Sequence, residues 1–208
     1  MINAIIFDLG NVLIGFDHHI AVKRILKYTD KSARDIYDFF FDSELTRTFE
    51  KGLIGPQEFF REVKKRLNLK ISYDEFLPIW NEIFFPKPET EEFIRRLDGS
   101  LRLVLLSNIN KIHFEYLRKN FSCALSLFDK MILSCMVGFI KPQRQIYELA
   151  ISQTQADRKN IIYVDDRKDL IEAATGYGIN SIRFEGIEQL RSQFERLGIL
   201  FETTNAAI

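Results

Sequence analysis

Ala4-Ile5-Ile6-Phe7-Asp8-Leu9-Gly10-Asn11 decides the fold: four apolar residues end on a carboxylate, and Gly10 with Asn11 then supplies a turn. An apolar run of this length reads as a strand buried on both faces, with Asp8 at its carboxyl end. From about Phe16 to Phe85 only helical patterns follow, over residues 20–28, 32–41, 55–67 and 73–84, punctuated by Gly52, Gly55, Pro56 and Pro78. Beyond Pro86 and Pro88 helices and strands alternate: helix 89–97, strand 102–106, helix 111–120, strand 130–133, helix 143–152, strand 161–164, helix 168–177 and strand 181–184. Alternation of this kind predicts an α/β fold, a three-layer Rossmann-like parallel sheet core spanning 1–15 and 87–208. Residues 16–86 form a small all-helical cap inserted after the first strand, and the tail 202–208 is expected to fray.

Composition narrows the partners. The 208 residues carry 29 basic and 29 acidic side chains, so no net field draws the chain to nucleic acid or an anionic membrane. The apolar N-terminal run has no basic segment before it and is too short to span a bilayer. A cytoplasmic protein acting on a small molecule, as monomer or homodimer, is expected. Cys123 and Cys135 lie outside any CxxC spacing and read as buried thiols.

In a parallel sheet, ligands bind outside the carboxyl ends of the strands. Three strands end there in polar residues: in Asp8, in Ser107-Asn108, and in Asp165-Asp166. Three carboxylates at one edge repel unless a hard divalent cation sits between them, and magnesium suits such a set because it holds few carboxylates and bridges to phosphate oxygens. Asp8 is then both ligand and nucleophile, forming an aspartyl-phosphate. Lys141, read with Pro142 at the first position of a helix, offsets the charge that builds on phosphate. Ser107 and Asn108 donate to its remaining oxygens.

The ordered set FDLGNV, LLSN, GFIKP and VDD resembles the four motifs of the haloacid dehalogenase superfamily of phosphatases, over nearly the whole chain. The helical insert, with FEKGLIGPQEF inside it, looks like that family's small helical cap. Within the superfamily the chain is most similar to sugar-phosphate phosphatases, particularly the α-glucose-1-phosphate phosphatase subgroup. The resemblance implies Asp8 as nucleophile, Asp8, the Gly10 carbonyl and Asp166 as magnesium ligands, and Asp165 as a partner in the metal shell. It also implies a phosphate grip by Ser107, Asn108 and Lys141. The implied activity is magnesium-dependent hydrolysis of a small phosphate ester, such as a hexose 1-phosphate. The alternatives are phosphoglucomutase-type phosphoryl transfer and a degenerate metabolite- or protein-binding module.

Two departures matter. Gly10 stands where the family has the aspartate that protonates the leaving oxygen, and Leu170 where it has an asparagine, with Asp169 the nearest substitute. Loss of a general acid or base costs about 10²–10⁴ in rate, least when the leaving group needs little protonation. Gly10 therefore suggests anomeric or acyl phosphates, and Gly10→Asp is expected to help alkyl phosphates more. Asp17 reads as the N-cap of a helix from His18, with His18 and His19 solvated; the alternative is that one of these three replaces the missing acid. His113 reads as a helix-surface residue. Glu50-Lys51-Gly52 reads as a charge pair or, since cap loops in this family reach the site, as a substrate contact. Phe39, Phe40, Phe41, Phe59, Phe60, Trp80, Phe84 and Phe85 are expected to form the core of the insert.

Overall fold

The computed structural model describes residues 1–97 and 99–199; the tail expected to fray lies outside them. From the N-terminus, strand β1 (Ala4–Phe7) leads to β2 (Ile14–Phe16) and then to helices α1 (His18–Ile25), α2 (Ala33–Asp42), α3 (Glu44–Glu50), α4 (Pro56–Arg66) and α5 (Tyr73–Asn81). Strand β3 (Phe84–Pro86) ends this insert. There follow α6 (Pro88–Arg95), β4 (Arg102–Ser107), α7 (Lys111–Asn120), α8 (Ser122–Leu125), β5 (Lys130–Leu133), α9 (Ser134–Val137), α10 (Arg144–Thr154), β6 (Ile161–Asp165), α11 (Lys168–Gly176), β7 (Asn180–Arg183) and α12 (Ile187–Arg196).

Strands β5-β4-β1-β6-β7 form one parallel sheet with β1 at its centre, paired to β4 and β6. Alternation along β1 shows why its run is apolar throughout. Ile5 and Phe7 pack on one face with Phe93, Phe114 and Phe194, whereas Ala4 and Ile6 pack on the other with Ile146, Tyr147 and Ala174. Both faces are covered, so Asp8 and the residues ending β4 and β6 emerge at one sheet edge. The α/β core with a helical cap inserted after the first strand is thus the observed architecture.

Cap helices begin where the chain supplies acceptors for their first amides. Ser32 and Ser72 each make a capping box, with Asp35 and Glu75, Asp17 caps α1 by accepting from the His19 N–H, and Pro56 opens α4. Val22, Ile36, Phe40, Phe49, Phe59, Phe76 and Trp80 make the separate core of the insert, joined by Ile112 of α7.

Several expectations are corrected. The insert is entered and left through a two-stranded antiparallel ribbon, β2 with β3, where Phe16 pairs with Phe84 and Ile14 with Pro86. Three-residue strands holding Gly15 and Pro86 are too short to show a period in the sequence. Phe84 and Phe85 accordingly belong to the ribbon, and Phe85 is exposed. Pro78 sits inside α5, which ends at Asn81. Helices α3, α8, α9 and α12 add to the helices the sequence pattern predicts. Cys123 is exposed and Cys135 half-buried, both as free thiols. Among the described residues no helix is long and apolar enough to cross a membrane.

Candidate active site

Asp8 leaves β1 with its amide still in the sheet, donating to the Val164 carbonyl at 2.8 Å. Ligand atoms of Asp8, Asp165 and Asp166 lie within 4.8 Å of one another. The Lys141 ammonium is buried between them, 2.5 Å from Asp8 Oδ1 and 2.7 Å from Asp165 Oδ2. Asp165 also accepts from the Tyr163 hydroxyl and, at 2.9 Å, from the Arg167 N–H. The backbone of Lys141 is gripped by Asn108, whose Oδ1 accepts the Lys141 N–H at 2.7 Å and whose Nδ2 donates to the Lys141 carbonyl at 3.1 Å. The Asn108 amide is therefore spent on placing Lys141. Ser107 Oγ, at the end of β4, has no hydrogen-bond partner among the described residues. Pro142 precedes the helix instead of opening it: α10 starts at Arg144 with Gln143 as its cap.

Burial pushes the Asp8 carboxyl up to about 7; Lys141 opposes this, and Asp165 and Asp166 add to it. Asp166 is raised too, by burial and then by Asp165. Burial draws the Lys141 ammonium down, yet Asp8 and Asp165 hold it above the ordinary lysine value. Three carboxylates thus face one ammonium in a site poor in water, which leaves the cluster short of positive charge. The all-oxygen donor set fits magnesium, and a divalent cation supplies the charge the cluster lacks.

These groups line one side of a cavity of about 590 Å³ between core and insert. Phe16, His18, Phe41, Thr46, Arg47, Glu50, Trp80 and Phe84 face them from the insert and its ribbon. Gly10 is explained here: a Cβ at that position would meet Phe16 Cε1 at 2.7 Å. An aromatic ring crowds the position, so Gly10→Asp requires Phe16 to move, which the sequence does not reveal.

Three further residues correct the sequence reading. His18 is not solvated; its ring stacks on Phe41 at 3.6 Å between centroids, and burial lowers its pKa to about 4. His113 is buried, accepting from Asn110 Nδ2 through Nδ1 and donating from Nε2 to the Trp80 carbonyl, each at 3.0 Å. It ties α7 to α5, and burial lowers its pKa to about 3. Asp169 does not line the cavity; it pairs with Arg167 at 2.6 Å, while Leu170 takes the cavity wall. Glu50, weighed only as a possible contact from sequence, does line the cavity.

A parallel sheet with a helical cap inserted after its first strand and a cluster of carboxylates at its edge defines a class of capped α/β proteins. The chain matches the haloacid dehalogenase-like hydrolases over residues 2–178 and belongs to that family. It is 24% identical over 194 residues to D-ribitol-5-phosphate phosphatase of Bacteroides thetaiotaomicron, covering 89% of this chain and 93% of that one. It is also 24% identical over 202 residues to drimenol cyclase of Aspergillus calidoustus; 95% of this chain spans only 37% of that protein. A family enzyme of Bacteroides thetaiotaomicron, crystallised with magnesium and inorganic phosphate, superimposes with a TM-score of 0.79 over 91% of this chain and 99% of its own, at 24% identity. That likeness speaks for the fold.

Proposed function

We propose that the protein is a magnesium-dependent phosphatase that hydrolyses a small phosphorylated metabolite through an aspartyl-phosphate on Asp8. The observation that carries this reading is the Lys141 ammonium held between Asp8 and Asp165, with Asp166 beside them, on the wall of the cavity between core and insert. Asp8, Asp166 and the Gly10 carbonyl would hold the magnesium ion, with Asp165 supporting Lys141. When bound, the ion supplies Lewis-acid charge to the phosphate oxygens and relieves the repulsion among the carboxylates.

Asp8 attacks phosphorus, and its low-dielectric surroundings make it a poorly solvated and reactive carboxylate. Lys141, fixed by Asn108, offsets charge on the phosphoryl oxygens, and the Ser107 hydroxyl donates to one of them. The helical insert, 16–86, acts as the lid that excludes water and presents residues to the organic part. Its β2–β3 ribbon supports this division, because both chain crossings pair there.

A sugar phosphate, such as a hexose 1-phosphate, fits the polar groups Asn11, Thr46 and Arg47 along the cavity. The similarity to a ribitol-5-phosphate phosphatase over nearly its full length supports the same class. A second reading comes from Phe16, Phe41, Trp80 and Phe84 on the same walls, which suit an ester with an apolar or planar organic part. Phosphate release from hexose 1-phosphates, pentitol phosphates, nucleotides and prenyl phosphates, with Asp8→Asn as blank, separates them. Isomerised sugar phosphate in place of free phosphate would signal a mutase. No Asp8-dependent release across the panel would make the protein a binding module and end the proposal.

A further inference from the structure

Gly10 leaves Asp8 without an acid two residues away, and Phe16 crowds the position where one would stand. A proton for the leaving oxygen has to come from elsewhere. The ionisable groups that line the cavity away from the sheet edge are His18, Arg47, Glu50 and His113. Both ring nitrogens of His113 are engaged, and His18 is a neutral imidazole with no acidic proton to give near pH 7.

We infer that Glu50, carried by α3 of the insert, protonates the leaving oxygen and then takes a proton from the attacking water, an inference resting on the phosphatase reading above. Glu50 lines the cavity, and its carboxylate has no hydrogen-bond or ion-pair partner among the described residues. Its backbone, by contrast, is pinned to the core. The buried Ser134 hydroxyl at the end of β5 donates to the Glu50 carbonyl at 2.7 Å. Gly52, at φ +69, seats the following turn against the Cys135 carbonyl, where a Cβ would collide. The insert therefore presents Glu50 from a fixed point beside the sheet edge.

Arg47 on its own helix and Arg167 and Lys141 across the cavity are the charges that face it. Burial lifts the Glu50 carboxyl up to about 7 against their combined pull. A group half protonated at neutral pH can donate in one half-reaction and accept in the next. In the first, an Asp8 oxygen bonds to phosphorus, the bond from phosphorus to the organic oxygen breaks, and the Glu50 proton goes to that oxygen to give the alcohol. In the second, water oxygen bonds to phosphorus, the bond to Asp8 breaks, and Glu50 regains its proton from the water. One water is consumed per ester.

Phenyl and 4-nitrophenyl phosphate test this, because 4-nitrophenolate leaves without a proton and phenolate leaves poorly. Glu50→Gln is expected to lower steady-state turnover of both by about 10²–10⁴-fold. In rapid mixing with magnesium, the first-turnover release of phenol should slow by about 10²-fold or more, that of 4-nitrophenolate by less than about tenfold. The limb of the pH profile near neutrality should vanish in Glu50→Gln and survive in Glu50→Asp, which also recovers part of the phenol release. Turnover of Glu50→Gln at the wild-type level, equal slowing of the two first turnovers, or a Glu50→Asp no better than Glu50→Gln overturns the inference. If the wild type shows no turnover dependent on Asp8, the phosphatase reading fails and this inference with it. Asp8-dependent turnover that is indifferent to Glu50 removes the inference alone.

Discussion

At the sheet edge nearly every polar atom already has a partner, whereas across the cavity the insert presents polar atoms with none. Lys141 bridges two carboxylates, Asp165 accepts from Lys141, Tyr163 and the Arg167 amide, and Asn108 uses both ends of its amide on Lys141. On the opposite wall, among the described residues, His18 Nδ1 and Trp80 Nε1 have no hydrogen-bond partner. The difference teaches where each kind of work is done. On the proposed function, the charge that meets the transition state is the one the core holds in place, which lowers reorganisation during reaction. On the same proposal the groups that meet the organic part of the substrate are carried by the insert, a separately packed body.

Replacement of Asp8, the proposed nucleophile, probes the core side hardest. Asp8→Asn should retain its fold by circular dichroism and lose at least about 10⁴-fold in phosphate release. Activity within tenfold of wild type would move the chemistry away from the sheet edge. Removing magnesium with a chelator should cost several kcal/mol of barrier, on the order of 10³ in rate, with recovery when the ion is restored.

Lys141→Met leaves Asp8 and Asp165 facing each other in a buried site. Breaking such a pair is expected to lower stability by about 3–5 kcal/mol in urea titrations without metal. A loss below about 1 kcal/mol would mean the edge is less organised than its geometry indicates.

His113 joins the two regions, and its protonation should loosen the joint. Unfolded, the imidazole takes a proton below its ordinary 6.5; folded, it takes one only near 3. Between those values the unfolded chain binds more protons, so stability falls as pH falls, by at most about 1.4 kcal/mol per pH unit from this group. His113→Gln should flatten that slope in denaturation measured at several pH values. An unchanged slope would place the acid sensitivity elsewhere, with His18 the next group to test.

The smallest effect concerns the crowded space beside Asp8. Gly10→Asp alone should lower stability by about 1–3 kcal/mol through the Phe16 ring and bring no gain on alkyl phosphates. Paired with Phe16→Ala it should gain on alkyl phosphates over Phe16→Ala alone, read by phosphate release. A gain from Gly10→Asp by itself would show that the ring yields easily.

The core was legible because its signals are local. A fully apolar run ending in Asp8, Ser107 or Asp165 names a strand and its functional edge together, and parallel strands bring such ends to one side without further information. Asp8, Asp165 and Asp166 do meet as that pattern requires, and Lys141 reaches them. The insert was legible as helices and little more. Its ribbon strands are too short for a period, and His18 and His113 look like surface residues because their spacing says nothing of the rings stacked on them. Glu50 carried one usable signal, the left-handed turn that Gly52 permits, which marks a close approach without naming what approaches.

By itself, then, the sequence determined the α/β alternation, the inserted helical cap, the carboxylates at the sheet edge and the absence of an acid at Gly10, since each is written in contiguous residues. Only the tertiary structure decided that Phe16 crowds the place beside Gly10, that Asn108 serves Lys141, and that Glu50 faces the cavity unpaired. The physical reason is that these depend on how two separately packed bodies meet, and contacts between residues far apart in the chain leave no period or spacing to read.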